Sequence, residues 1–193
     1  MKLFPVFFLL LIVPLTACHS PGQKDAKTDI LADTAKFYPL RIFFKEQIQY
    51  VDLRNFPIYR VTEKDGKKDS SAITKDQFVA LAETFFDKDI SEPRVKALYK
   101  ESAFHDLSTG SITLNYKPSD NKAPVQNVDI LLDEQTNLVK RVFIRVLYLK
   151  GDTTFIEQYN WKANKSFQVN RSITTANGYT STELNYINWN DKP

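Results

Sequence analysis

Apolar and polar positions divide the chain into three stretches. Leu3 to Val13 is almost continuously apolar. His19 to Asp29 is polar and is broken by Pro21 and Gly22. Beyond it, apolar residues recur with the periods of helices and then of strands. Leu40, Phe43, Phe44, Ile48 and Val51 stand three or four residues apart, with Arg41, Lys45, Glu46 and Gln49 on the other side. That spacing predicts an amphipathic helix, with Pro39 in its first turn and Asn55-Phe56-Pro57 ending it. Ile58 to Thr62 and Ser70 to Ile73 read as short strands about an Asp65-Gly66 turn. Thr74-Lys75-Asp76-Gln77 then matches a capping box, with Ile73 placed to staple against Phe78. Phe78, Leu81, Ala82, Phe85 and Phe86 would form the buried face of this second helix, which Asp87-Lys88-Asp89 and Pro93 stop.

The second half changes period. Ile112, Leu114 and Tyr116 alternate with polar residues, as do Val128, Ile130 and Leu132. Turns at Asp133 to Asn137, Lys150-Gly151-Asp152, Ala163-Asn164-Lys165 and Asn177-Gly178 separate the runs Leu138–Leu149, Thr153–Trp161, Phe167–Thr175 and Tyr179–Trp189. With an earlier strand over Tyr99 to Phe104, this is an antiparallel meander with one face more apolar than the other. The expected fold class is α+β: two N-terminal helices packed on a six- to seven-stranded antiparallel sheet, in one domain over residues 29–193. Neither a βαβ rhythm nor a Gly-rich phosphate loop appears, which argues against nucleotide-binding Rossmann and P-loop folds.

The amino terminus bears on location. The run after Lys2 is shorter than the roughly 20 apolar residues of a membrane span, and it fits the apolar region of a secretory signal. Leu15-Thr16-Ala17-Cys18 follows and resembles the lipobox of bacterial lipoproteins. The resemblance implies a signal peptide over residues 1–17, cleaved before Cys18, and acylation of Cys18 on its thiol and new amino terminus. Two or three acyl chains anchor effectively permanently where one would not. Residues 18–28 then serve as a flexible tether. No Asp follows Cys18 directly, which favours outer-membrane attachment, with periplasmic and surface exposure both open.

The helix, helix and meander order is similar to uncharacterised lipoproteins of Bacteroidota. That likeness rests on Leu40 to Ile48 (Leu-Arg-Ile-Phe-Phe-Lys-Glu-Gln-Ile), on Phe85 to Pro93 (Phe-Phe-Asp-Lys-Asp-Ile-Ser-Glu-Pro) and on the all-β remainder. It implies a location and a fold rather than an activity. Asp33-Thr34-Ala35 and Asp152-Thr153-Thr154 resemble the short O-glycosylation acceptor of that phylum, at Thr34 and Thr153.

Composition then removes chemistry. The 193 residues are 42% hydrophobic and 25% charged, with a formal net charge of +3 and without a basic cluster, which gives nucleic acid no footprint. One Cys and two His exclude a disulfide framework and Cys-rich metal sites. With Cys18 in the anchor and His19 in the tether, the folded part keeps only His105 for His-based catalysis. His105 has Asp106 beside it and Glu101 before it, but neighbours on a strand face opposite ways. Asp87, Asp89 and Glu92 lack the spacing of a calcium loop and read as a solvated helix end. Neither a cofactor nor a metal is expected, and the reading is non-enzymatic.

Two sets of side chains remain for binding. Arg141 and Arg145 share a strand face with Phe143 between them and Lys140 opposite, suited either to an anionic ligand or to solubility. Phe155, Tyr159 and Trp161, with Tyr179, Tyr186 and Trp189, lie on the last strands among 14 Phe, 9 Tyr and 2 Trp. If the helices leave Phe155, Tyr159 and Trp161 uncovered, they line an apolar groove. If the helices cover them, they are core. The expected function is a lipid-anchored envelope module that binds another envelope component. The alternative is a carrier of a lipid or acyl chain held in a curved sheet closed by helices.

Overall fold

The computed structural model describes residues 37–120 and 122–191. Signal segment 1–17, Cys18, the tether and Thr34 lie outside the described residues. Helix α1 spans Leu40–Arg54, and Pro39 is its N-cap rather than a residue of its first turn. Asn55 ends it in the left-handed conformation at φ 50°, its N–H donating to the Asp52 carbonyl. Leu40, Phe43, Phe44, Gln47 and Val51 are buried, so Gln47 takes a core position while Ile48 is half-buried.

Strands β1 (Ile58–Lys64) and β2 (Lys67–Ile73) pair about Asp65 and Gly66, whose φ values of 48° and 81° fit a two-residue hairpin turn. Helix α2 (Lys75–Glu83) opens with the expected capping box. The Thr74 hydroxyl accepts from the Gln77 N–H at 3.2 Å, and the Gln77 side chain accepts from the Thr74 N–H at 2.9 Å. A 3-10 turn at Phe86–Lys88 and a short helix α3 (Pro93–Lys96, proline in its first turn) lead into the sheet.

The strands that follow are β3 (Tyr99–Asp106), β4 (Ser111–Pro118), β5 (Val125–Asp133), β6 (Val139–Lys150), β7 (Thr153–Lys162), β8 (Ser166–Thr174) and β9 (Thr180–Asn188). Each pairs antiparallel with the next. The sheet has nine strands rather than six or seven, in the order β2-β1-β9-β8-β7-β6-β5-β4-β3. The first hairpin is the difference, because β1 pairs antiparallel with β9 and extends the meander at its far edge. The Asp65 carboxylate fixes the hairpin tip by accepting from the Ser181 hydroxyl and the Thr182 N–H, and the Asp65 N–H donates to the Thr182 carbonyl. Among the described residues only α1 precedes every strand; α2 falls between the hairpin and the meander, so these helices are not grouped at the amino terminus.

The loop at Asn177-Gly178 is also longer than a two-residue turn. Thr174 pairs with Thr180, and Gly178 has positive φ while Asn177 does not. Asn177 instead accepts from the Thr175 hydroxyl and the Tyr179 N–H with its side chain.

Register sorts the sheet into two faces. Tyr116, Val128, Ile144, Tyr159 and Val169 follow one another across β4–β8, and Ile130, Val142, Trp161, Phe167 and Ile187 across β5–β9. The helices pack on this face. Phe85 centres the contact, 4.9 Å from Trp161, 5.1 Å from Tyr159, 5.2 Å from Phe167 and 5.1 Å from Phe44, mostly edge-on. Such crossed ring geometries are favoured over stacked sandwiches. No helix among the described residues is long and apolar enough to cross a membrane.

Candidate ligand-binding face

The opposite face carries no helix among the described residues. Its side chains come from the alternate positions of the same strands, and several of those positions hold amides. Asn115, Asp129, Phe143, Asn160, Gln168 and Tyr186 form one row across β4–β9. Lys117, Asn127, Arg145, Gln158, Asn170 and Leu184 lie in the neighbouring row: β5–β9 are paired at these positions, and Lys117 lies two residues beyond Asn115 on β4. Arg141 and Lys162 are paired in the next row, two residues beyond Phe143 and Asn160. Two residues along a strand is about 6.6 Å, and neighbouring strands are about 4.8 Å apart.

A groove of about 590 Å³ opens here, lined by Asn115, Lys117, Gln126, Asn127, Asp129, Phe143, Arg145, Leu147 and Gln158. Gln158 also lines a second depression of about 340 Å³ with Asn170, Thr182 and Leu184, so the two adjoin. A third, of about 230 Å³, lies over Asn160, Gln168, Tyr186 and Asp191. Together they span much of the open face.

The polar groups of the groove hold one another in place. The Asn115 amide donates to Asn127 Oδ1 at 2.8 Å and to Asp129 Oδ1 at 2.5 Å, while Asn127 donates to Asp129 Oδ2 at 2.7 Å. Asp191 accepts from Lys162 at 2.7 Å, from the Ser166 hydroxyl at 3.0 Å and from the Tyr186 hydroxyl at 3.3 Å. Burial pushes the Asp191 pKa up, but Lys162 and Ser166 outweigh it and the net shift is downward. Lys117, Arg141 and Arg145 make no ion pair among the described residues. Asn160 Oδ1, in the middle of the first row, is buried without a hydrogen-bond partner. Such a group costs stability that packing alone does not require.

The aromatic set Phe155, Tyr159 and Trp161 lies on the helix side. Trp161 is 0% and Tyr159 4% exposed, with Phe43, Phe44, Phe85 and Phe167 filling the space around them. They are core, and the apolar chamber a carrier would need is occupied by rings. Phe155 sits beyond the helices, stacked on Tyr148 at 4.9 Å and 2°. A surface groove of about 530 Å³ does run between α1 and α2, but Lys45, Asp52, Lys75, Asp76 and Glu83 contribute to its lining. Trp189 belongs to the same core, whereas Tyr179 is exposed.

Next to Tyr159 is a charged network absent from the sequence reading. Glu157, 2% exposed, accepts from the Tyr159 hydroxyl at 2.7 Å, Arg171 Nε at 2.7 Å and the Tyr148 hydroxyl at 3.2 Å. Arg171 reaches Glu183 at 3.6 Å, and Glu183 reaches Lys64 at 3.0 Å. Burial pushes the Glu157 carboxyl up, but the Tyr159 hydroxyl and the Arg171 guanidinium together bring it below its ordinary value.

The remaining sequence candidates are dispersed. His105 Nε2 pairs with Glu134 at 2.8 Å, not with Asp106, which accepts from the Ser108 and Thr109 hydroxyls. Glu101 lies four residues along the strand from His105, about 13 Å. Asp89 accepts from the Ser91 N–H in the loop after α2. Among the described residues no group of three or more His, Cys, Asp or Glu could hold a metal ion. Lys140 is tied to Asp133 at 3.0 Å, away from the arginines. Thr153 is half-buried at the first position of β7.

The amide-rich face was legible in part. Gln126-Asn127-Val128-Asp129, Gln158-Tyr159-Asn160-Trp161 and Gln168-Val169-Asn170 place Asn, Gln or Asp where a merely solvated strand would carry Lys, Glu or Thr. Comparison with protein-family models, with curated proteins and with solved structures finds no match to this chain.

Proposed function

We propose that this chain is a non-enzymatic, lipid-anchored cell-envelope binding module, attached through Cys18, and that the open sheet face is its ligand surface. The observation that carries the reading is the pairing of a helix-covered, ring-filled face with a second face of aligned amides and of cations that make no ion pair among the described residues. An interior already packed with aromatic rings leaves binding to the outside of the sheet. The lipobox-like Leu15-Thr16-Ala17-Cys18 supports attachment to the outer membrane, with residues 18–28 giving the domain reach from the surface.

Metabolic labelling with palmitate tests the anchor. Label is expected in the full chain and absent from Cys18→Ala, which leaves the membrane fraction; label that persists in the variant would overturn attachment at Cys18. Purification from membranes, with lipids and proteins identified by mass spectrometry, tests the binding mode. Stoichiometric recovery of a bound lipid would contradict the outer-face reading and favour a carrier.

A further inference from the structure

We propose that the open face binds an extended anionic polysaccharide running across β4–β9, a statement that rests on reading this face as the ligand surface. Amide side chains present a donor and an acceptor in one plane, the arrangement that takes adjacent hydroxyls of a sugar ring. Gln158 and Asn170 offer that pair on the adjacent strands β7 and β8, while Asn115 and Asn127 hold Asp129 in place at the β4–β5 end of the face. Phe143 and Tyr186 stand in the same row three strands apart, half-buried, and supply apolar surface for the C–H faces of sugar rings. A protein partner would call for a buried cluster of aromatic or arginine anchors ringed by apolar contacts; the groove here is lined mainly by polar and charged side chains.

Charge selects the sign of the ligand. The acids of this face are Asp129, held by the Asn115 and Asn127 amides, Asp191, paired with Lys162, and Glu63, which lies across from Leu184 in the second depression. Among the described residues Lys117, Arg141 and Arg145 make no ion pair, so over β4–β7 the face carries more cations than acids. An arginine fork accepts a carboxylate or a sulfate in two parallel hydrogen bonds, and either group on a glycan fits. The rows set the length: from β4 to β9 they run about 24 Å at about 4.8 Å per strand, room for an oligosaccharide rather than a single sugar.

Binding of the full-length chain in detergent micelles to immobilised polygalacturonate, heparin and neutral dextran provides the test, with biolayer interferometry as the readout. Retention on polygalacturonate or heparin and not on dextran is expected, and which of the two binds distinguishes carboxylate from sulfate. Arg145→Ala should weaken binding about tenfold, and Lys117→Gln with Arg141→Gln further. Phe143→Leu should weaken it without changing its salt dependence, while Lys45→Gln on α1 should leave it unchanged. Equal loss in Lys45→Gln would mean unspecific charge attraction and overturn the proposal. Absence of retention on every glycan would also overturn it. In that case a photo-crosslinker at Gln158 in intact envelopes separates the two failures. A crosslinked protein would leave the open face as a ligand surface with a different ligand, whereas no product would remove that reading as well.

Discussion

Gln47 on α1 and Asn164 in the β7–β8 turn hold each other through two hydrogen bonds. Gln47 Nε2 donates to Asn164 Oδ1 at 3.1 Å, and Gln47 Oε1 accepts from the Asn164 N–H at 2.6 Å. The same oxygen accepts from Trp161 Nε1 at 3.3 Å. Asn164 is able to serve because it takes the left-handed conformation, φ 60°, that the turn requires. One amide thus locks the helix onto the sheet and satisfies the polar edge of the largest core ring. Gln47→Leu keeps the volume but leaves the Trp161 and Asn164 donors unpaired, a cost of about 1–3 kcal/mol. Urea unfolding should show a lower midpoint with an unchanged slope.

Phe85 touches four rings of the core from its place just past α2. Phe85→Ala opens a cavity that rigid aromatic neighbours cannot collapse into, and should destabilise by about 3–5 kcal/mol. Phe104, equally large but 66% exposed on edge strand β3, is the control. Its alanine variant should change stability by no more than about 0.5 kcal/mol. Thermal melts of the two variants side by side check the contrast.

The core and the element types could be read from the chain because they follow from periodicity alone. The stripe on α1, the Thr74–Gln77 box and the alternating strands are local patterns with local causes. Three features depend on tertiary contact and could not be read that way. Pairing of β1 with β9 joins positions more than a hundred residues apart, and no pattern in Ile58–Lys64 names its partner. Gln47 appears polar on a helical stripe, and only the turn at Asn164 explains its burial. The filling of the space over Tyr159 and Trp161 depends on where α1 and α2 come to rest, so the strand pattern alone left both groove and core open. The amides of the open face were visible as residues, but their rows exist only once the register of six strands is set.

Glu157 makes stability depend on acid in a defined direction. Its folded pKa lies below its ordinary value of 4.5, because the Tyr159 and Arg171 hydrogen bonds outweigh the effect of burial. The stabilisation is therefore fully present above about pH 4.5 and is lost as the pH falls through the lower folded value. Glu157→Gln keeps the shape and removes the charge facing Arg171. It should be less stable than the parent at pH 7 by about 1–3 kcal/mol, since removing the charged acceptor weakens hydrogen bonds to a charged group. The difference should shrink as the pH drops below 4, where the parent protonates. Denaturation series at pH 3, 5 and 7 would show it, and a constant difference would remove the assigned role.

Glu101 has the opposite sign. It lies on β3 directly across from Tyr116, and its Oε2 is buried without a hydrogen-bond partner. Burial raises its pKa above the ordinary 4.5, with the Tyr116 hydroxyl and Lys96 only partly offsetting the effect. A carboxyl raised in the folded state contributes stability while it is protonated, and that contribution is lost as the pH rises through the folded value. At pH 7 the fold therefore carries an ionised group it would prefer neutral. Glu101→Gln supplies a neutral side chain of the same shape and should raise the melting temperature at pH 7 by a few degrees, about the effect of 1 kcal/mol in a domain of this size. At pH 4, where the parent carboxyl is already largely protonated, the gain should vanish. A variant that melts lower than the parent at pH 7 would mean that the Glu101 charge is needed, with Lys96 as the group to test next.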